Sequence, residues 1–546
     1  MSPPVANPPR ATIVMTARER HSLAEAAIES VVADTAPPYR FMYLDVESPG
    51  WLRATLAQRA DEWGLEVVRF DEPLWPQEAR QRVAGAIDTD YVVFIDNDVQ
   101  VEPGWLEALI ACADETGAGI VGPLYLWGGG VASPKIHMAG GKLFESPAAG
   151  GRVLDEQHQL INTDPRLVAG QLFRRPCDFV EFHCMLIRTS LLRDPAFLDP
   201  EIRCVHEHID VALAAEQRGF AVYLEPASRV HYMAFSDYML DDLDFFRDRW
   251  SAAEGEASIA AFSRKWNVFD DERSFGGVRN FLRKHLAQID PLRQALPLRA
   301  DRQAPMREDE LVQSRSGLLD LALARGYEPD EIAAIADAWN LAQRLVDGGY
   351  RPCGRPFINH LAGTAGVLVR YDFSADIVAA GLLHAAYTHA PPHADGPGAA
   401  AGDVCAALGG EGGSLERRVR AYALRESGGD GLPPDPELFA TLSVHEAEII
   451  AIEAANEVDM LLSGEFRYSG RTDALDRDAV LRIGHVCRIL GVSGLAATLA
   501  LARDVDAPAP NGMQTGIHGS YRFGPDQRSM VSMVSGDPLS RRSTAS

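Results

Sequence analysis

The sequence predicts an α/β domain followed by an all-helical one, and three observations carry that reading. From Ala11 to about Gly122, short β-rich runs alternate with amphipathic stretches, the rhythm of right-handed βαβ crossovers and of a mainly parallel sheet covered on both faces. From Asp309 to about Asp504 the strand signal nearly vanishes, and Ala/Leu-rich amphipathic segments replace it. The 546 residues imply two to four domains at roughly 100–200 residues each.

ATIVMT opens the first strand, and a helix is expected near Ser22–Ala33. FMYLDV, a helix near Trp51–Trp63 and EVVRF follow. A helix near Pro76–Ile87 then leads to YVVFIDNDV, a helix near Pro103–Glu115 and GIVGPLYLW. After Trp127, Gly-rich turns separate the strand-like runs HMAGGKLFE and DFVEFHCMLIRT, an antiparallel addition of the kind on which acceptor sites are built. EHIDVALAAEQRGF reads as a helix ended by Gly219, AVYLE and SRVHY as strand, and RKWNVF and FLRKHL as closing helices. The expected boundaries are a flexible start at 1–10, a first domain at 11–286, a linker at 287–308, a helical domain at 309–505 and a disordered tail at 506–546.

The charge sum, 52 basic against 77 acidic residues, gives −25, and such a surface repels a phosphate backbone, so nucleic acid is not an expected partner. MSPPVANPPR has no apolar stretch after a basic region, hence no secretory or transit signal, and no window is apolar for the ~18 residues a bilayer requires. Seven cysteines without a CxxC pattern argue for reduced thiols, and a cytoplasmic location is expected.

The strongest local signal is Phe94-Ile95-Asp96-Asn97-Asp98-Val99, a buried strand running into two carboxylates two positions apart. One reading is a turn, for which Asp-Asn-Asp is well suited. The other is a hard divalent cation, Mn²⁺ or Mg²⁺, bridging the phosphates of a nucleotide diphosphate.

These residues and their surroundings resemble the GT-A fold glycosyltransferases of the large family that includes cellulose and chitin synthases and many bacterial sugar transferases. Residues 11 to about 270 carry the resemblance. Thr16 and Arg18 follow the first strand, Asp45 ends YLD, Ala79-Arg80-Gln81 stands for the usual Ala-Arg-Asn, and the Asp-x-Asp pair, EHID with its helix, and Val230-His231-Tyr232 follow in the family's order. The resemblance implies that Thr16, Arg18, Asp45 and Arg80 lie against the nucleotide, with Asp45 at the uracil or other base. It also implies that Asp96 faces the ribose or donor sugar and that Asp98 and His231 hold the metal. Asp45 capping the next helix and His231 packed at a strand end are the plain structural alternatives.

The family's Glu-Asp-x-Asp is here Glu207-His208-Ile209-Asp210, with histidine at the place of the proton-accepting carboxylate. A neutral imidazole can serve as general base, with Glu207 or Asp210 as orienting partner; Glu207 taking the role, or lost transfer activity, are the alternatives. Three residues apart, Glu207 and Asp210 share a helix face, and His208 points about 100° away. His206 with His208 forms an HxH pair that lacks further ligands at zinc-like spacing. Trp127 with Gly128–Gly130 has the composition of a flap over the donor, or of a packed tryptophan before a loop.

In the helical half, Asn359-His360-Leu361 and Gly381-Leu382-Leu383-His384-Ala385 look like the HD phosphohydrolase superfamily, in which Asp follows the second His; here that position is Ala385, and Asp459 is a loose match for the later aspartate. The implied role is binding, regulation or assembly, including homo-oligomerisation, with His360 and His384 either metal ligands or buried histidines; His389 and His393 sit in THAPPHADGPG, the composition of a solvated loop, and a Pro/Gly/Ala-rich loop is expected at 390–402. The function expected overall is a metal-dependent, inverting transfer of a sugar from a UDP-sugar to an unknown acceptor. A catalytically degenerate nucleotide- or glycan-binding scaffold is the alternative.

Overall fold

A computed structural model describes residues 8–17, 19–128, 134–148, 151–234, 238–293, 300–351, 353–389, 402, 404–410, 413–426, 442–465, 477–503, 521–523 and 530–532. Arg18, the glycines of the expected flap at 129–130, most of the 390–402 loop and most of the 506–546 tail lie outside them. The chain divides into two compact units, Met1–Leu286 and Ala287–Ser546.

In the first unit the strands are β1 (Ala11–Thr16), β2 (Arg40–Val46), β3 (Leu65–Phe70), β4 (Tyr91–Asp96), β5 (Val99–Val101), β6 (Ile120–Trp127), β7 (Lys135–Met138), β8 (Gly141–Ala148), β9 (Gly151–His158), β10 (Arg175–Cys177), β11 (Cys184–Arg188) and β12 (Val222–Tyr232). The longer helices are α1 (Ala24–Asp34), α2 (Gly50–Trp63), α3 (Pro76–Val83), α4 (Trp105–Thr116), α5 (Glu207–Gln217), α6 (Leu243–Arg249), α7 (Ala252–Trp266) and α8 (Glu272–Ile289). The main sheet runs β10-β12-β6-β11-β4-β1-β2-β3, with β5 on β12 and β7 on β6. β1 to β4, β6 and β12 share one direction, and β11 runs against its neighbours β4 and β6. This mixed, mostly parallel sheet with covering helices is the α/β arrangement that the GT-A resemblance implies.

Its centre is dictated by composition. Every residue of ATIVMT and of YVVFID is buried, the unbroken apolar pattern of strands covered on both faces. The two carboxyl ends lie level, since Thr16 pairs in register with Asp96 and with Leu44. β12 is one strand with a bulge between Glu225 and Arg229, where the sequence suggested two pieces. β8 and β9 pair along their whole length as a separate two-stranded sheet. Gly141 admits this pair against the main sheet, because a Cβ there would stand 2.3 Å from the Phe179 ring.

The second unit is helical as expected, with Pro329–Val346, Phe357–Arg370, Ala375–Leu383 and Val444–Leu462 at its centre. Ser443 and Glu446 close a capping box, Ser443 N–H donating to Glu446 Oε2 at 2.8 Å and Glu446 N–H to Ser443 Oγ at 3.3 Å. Small residues let these helices approach: a Cβ on Gly363 would lie 1.7 Å from Asp459 Oδ1, and one on Gly381 2.4 Å from Leu368 Cδ1. Two stretches depart from the expected boundaries. In the stretch read as linker, Arg302 donates to Asp372 at 3.0 Å, because the buried Asp372 carboxylate, also bonded by Arg325, needs cationic partners. In the stretch read as disordered tail, Tyr521–Phe523 and Met530–Ser532 form a small sheet with Gly349–Tyr350.

Candidate functional site

The ends of β1 and β4 set the site. Asp96 closes β4, and Asp98 lies in the tight turn into β5, so both carboxylates leave the sheet side by side and buried. Isolated charges at that depth cost several kcal/mol, so partners are required. Arg80, brought by α3, donates to Asp96 Oδ1 at 3.1 Å and rests 4.1 Å over the Phe182 ring. Arg20, in the segment after β1, donates to Asp98 Oδ2 at 3.0 Å and lies 4.1 Å over Tyr238. Thr16 stands beside them with its hydroxyl buried and without a protein hydrogen-bond partner.

A third group joins the pair. His183, immediately before β11, places Nδ1 3.0 Å from Asp96 Oδ2, and its ring stacks on Tyr232 at 3.9 Å and 22°. With the proton on Nδ1 and shared with Asp96, Nε2 keeps its lone pair. Asp96, Asp98 and His183 present ligand atoms within 4.8 Å of one another. Asp98 Oδ1 is buried without a protein hydrogen-bond partner, and burial pushes the Asp98 carboxyl pKa up, against the opposing pull of Arg20. Hard oxygen and imidazole donors around an uncompensated carboxylate oxygen fit a divalent cation.

His231, the residue expected as second metal ligand, is directed elsewhere. β12 alternates, so Tyr232 faces the acid pair and the preceding His231 lies across the strand, its Nε2 2.7 Å from Glu102 Oε1. Asp45 is the penultimate residue of β2, but its carboxylate is already engaged by Arg69 Nε at 2.8 Å and by the Ser48 N–H at 3.3 Å. It bonds the turn and does not cap α2, whose N-cap is Pro49.

The proton-accepting region assembles around His208, at the start of α5. His208 Nε2 lies 3.4 Å from Glu156 Oε2 and 3.6 Å from Glu181 Oε1, and His158 Nε2 lies 3.2 Å from the same Glu181 oxygen. Burial disfavours the charged imidazole, but Glu181 and Glu156 outweigh it and raise the His208 pKa to about 9. Burial likewise works against the two carboxylates, and the histidines prevail: Glu156 falls to about 2 and Glu181 is held well below the usual carboxylate range. His208 is therefore charged at neutral pH, a correction to the neutral base expected from its unperturbed value. The orienting partners also differ, since helix spacing turns Glu207 to Arg249 at 3.3 Å and Asp210 to Lys265 and Trp266 at 2.8 Å each. Asp210 is pushed up to about 6 by burial, with Lys265 opposing. His206 stacks on Phe262 at 4.8 Å, so the HxH pair does not converge.

His137 joins the two regions, its ring 5.3 Å from His158, 5.4 Å from His183 and 4.5 Å from Trp127. Reading the sequence overlooked Arg20, Glu156, His158, Glu181 and His183. A usable signal was present: Glu-x-His occurs at 156–158 and at 181–183, and in β9 period-2 alternation puts Glu156 and His158 on one face.

In the second unit, His360 Nδ1 lies 2.7 Å from Asp459 Oδ2, and the His360 and His384 rings are 5.4 Å apart. His384 Nδ1 binds its own turn at Gly381 O, 2.7 Å away. His360, Asp459 and Glu465 could surround an ion, yet Arg355 already grips both Asp459 oxygens at 2.9 Å and Arg351 pairs with Glu465. Guanidinium groups thus face this donor set, as Arg20 and Arg80 face the acid pair of the first unit; here they take both oxygens of Asp459, and Glu465 Oε2 is left without a protein hydrogen-bond partner. Burial pushes His384 down to about 4 and His360 well below its usual value, so both are neutral.

No helix among the described residues is long and apolar enough to cross a membrane. No curated protein is significantly similar to the chain. Among solved structures it is similar to GalNAc-T7 crystallised with UDP, GalNAc and Mn²⁺, at 13% identity over 52% of this chain and 57% of that one, TM-score 0.33. It is also similar to S. aureus TarS 1-349 in complex with UDP-GlcNAc, at 15% identity over 68% of this chain and 90% of that one, TM-score 0.30. Residues 12–193 match the family Glycosyl transferase family 2, and the match ends before α5, so His208 and His231 lie beyond it. Within the first unit, residues 12–193 are therefore similar to a glycosyl transferase family 2 domain, and this match supports a glycosyltransferase.

Proposed function

We propose that the protein transfers a sugar from a UDP-sugar to a hydroxyl acceptor with inversion, in a reaction that depends on Mn²⁺ or Mg²⁺. The observation that carries this reading is the convergence of Asp96, Asp98 and His183 at the carboxyl ends of parallel strands, with Asp98 Oδ1 unpartnered. Ligands of open α/β sheets sit there, and these residues would hold the ion. When bound, a divalent cation neutralises charge developing on the leaving diphosphate. Arg80 fixes Asp96, and the His183–Tyr232 stack fixes the imidazole, so the donor set is oriented in advance.

His208 is the proposed proton acceptor, working from its unprotonated fraction, with Glu181 and Glu156 stabilising the imidazolium that results. The acceptor oxygen forms its bond to the anomeric carbon as the bond to the diphosphate breaks, and its proton passes to His208. The helical unit is accessory in this reading. Calorimetric titration of UDP, GDP, CDP and TDP, with and without Mn²⁺, tests it. UDP binding that requires Mn²⁺ and is lost in Asp98→Ala is the expected result; metal-independent binding, or none, would refute it and leave a scaffold role.

A further inference from the structure

A cleft opens beside the His208 cluster, with His158 in its wall. It encloses about 400 Å³ between the end of β9 and the segment leading into β10, and Gln157, His158, Gln159, Gln171, Phe173 and Arg175 line it. We propose that this cavity is the acceptor subsite and that it takes a sugar unit of the acceptor. The inference rests on the transferase reading for the word acceptor, and on the cavity itself for the chemistry of its occupant.

The lining has the chemistry of a saccharide site. Three carboxamides, that of Gln159 already accepting from Arg175, carry donors and acceptors of the kind that sugar hydroxyls pair with. Phe173, 57% exposed and with the Arg175 guanidinium 5.4 Å from its ring centre, offers an aromatic surface against which the C–H face of a pyranose packs. Arg175 donates to neutral oxygens, Gln171 O at 2.9 Å and Ala139 O and Gln159 Oε1 at 3.0 Å each, and among the described residues it forms no ion pair. Its charge favours a hydroxyl-rich or acidic sugar over a cationic amine.

The walls are fixed before any ligand arrives. Leu160 and Leu172 pack against Leu124, Leu126, Ile136 and Leu224 of the sheet core, and Arg175 ties β10 to both neighbouring segments. Position gives the cavity its role. His158 lines it and contacts Glu181, which contacts His208, so the cleft adjoins the cluster that holds the proposed proton acceptor.

Saturation-transfer NMR on the full chain tests this, with the methyl β-glycosides of glucose, galactose, N-acetylglucosamine and glucuronic acid as probes. Wild type is compared with Phe173→Ala and Gln171→Ala, both exposed positions, and Mn²⁺-dependent UDP binding is measured in parallel. At least one glycoside should bind, its affinity falling about tenfold in Phe173→Ala while UDP binding is unchanged. Absence of binding by all four glycosides, or wild-type affinity in both variants, overturns the proposal. Glycoside binding that depends on Phe173 without any UDP binding upholds the sugar site and removes the transferase reading, so the two fail separately.

Discussion

Replacing Glu181 by glutamine removes one of the two charges that keep His208 protonated and preserves the volume of the side chain. Glu181 Oε1 lies 3.6 Å from His208 Nε2, and Glu156 remains at 3.4 Å. Two unit charges at that separation interact by roughly 4–5 kcal/mol at an effective dielectric constant of 20. Relaxation and the entry of water reduce this, and loss of one close opposite charge moves a pKa by about 1–3 units. The His208 pKa should therefore fall from about 9 into the range of roughly 6–8. Histidine-labelled protein followed by NMR across pH measures it without any knowledge of the acceptor, and His208→Gln identifies the resonance. A wild-type His208 that titrates below 7, or one unmoved in Glu181→Gln, would refute the electrostatic account of the site.

Further outcomes follow from the same contacts. Because the unprotonated imidazole does the work, the transfer rate should rise about tenfold per pH unit below 9 and level off above it; a flat profile from pH 6 to 8 would exclude His208 as the base. His208 binds its proton more tightly when folded, so its stabilisation is whole below pH 6.5 and disappears as pH rises through about 9. Shown by the loss of Tm between those pH values in wild type relative to His208→Gln, it should be on the order of 3 kcal/mol. Arg355→Ala leaves the buried Asp459 carboxylate without its bidentate partner, and chemical denaturation should show a loss of about 3–5 kcal/mol; a loss below 1 would mean that another cation takes its place.

The layout of the first unit was legible because its strands are buried on both faces and read as continuous apolar runs, and because the acid pair interrupts one of them. Thr16 came with that pattern because it ends β1, and Arg80 came with the resemblance carried by Ala79-Arg80-Gln81. The metal-facing histidine was not legible: His183 and His231 both adjoin strands, and only the register of β11 beside β4 brings His183 to Asp96. The same holds for His208. Local spacing offered Glu207 and Asp210 as partners, whereas Glu181 and Glu156 arrive from segments 27 and 52 residues away in sequence, counted from their positions. In the helical unit the two histidines and Asp459 could be picked out, but not Arg351 and Arg355, whose charges decide what the cluster can hold.

The exchange of a carboxylate for His208 looks, in the sequence alone, like the loss of a base. The surroundings argue otherwise. An ionised aspartate at that place would carry a charge of −1; protonated His208 with Glu156 and Glu181 sums to the same value, +1 − 2 = −1. Both carboxylates are strongly acidic because the imidazolium is there, and the imidazolium persists because they are. A site drifting out of use has no need to retain two half-buried carboxylates matched to one histidine, since each unpaired charge left behind would cost stability. In the proposed reading, the arrangement keeps the charge at that place and moves the titrating proton onto nitrogen. Restoring the carboxylate tests this: His208→Asp places three negative groups together, so activity should return only when Glu181 is changed to Gln alongside it, and the double variant should work at lower pH than wild type.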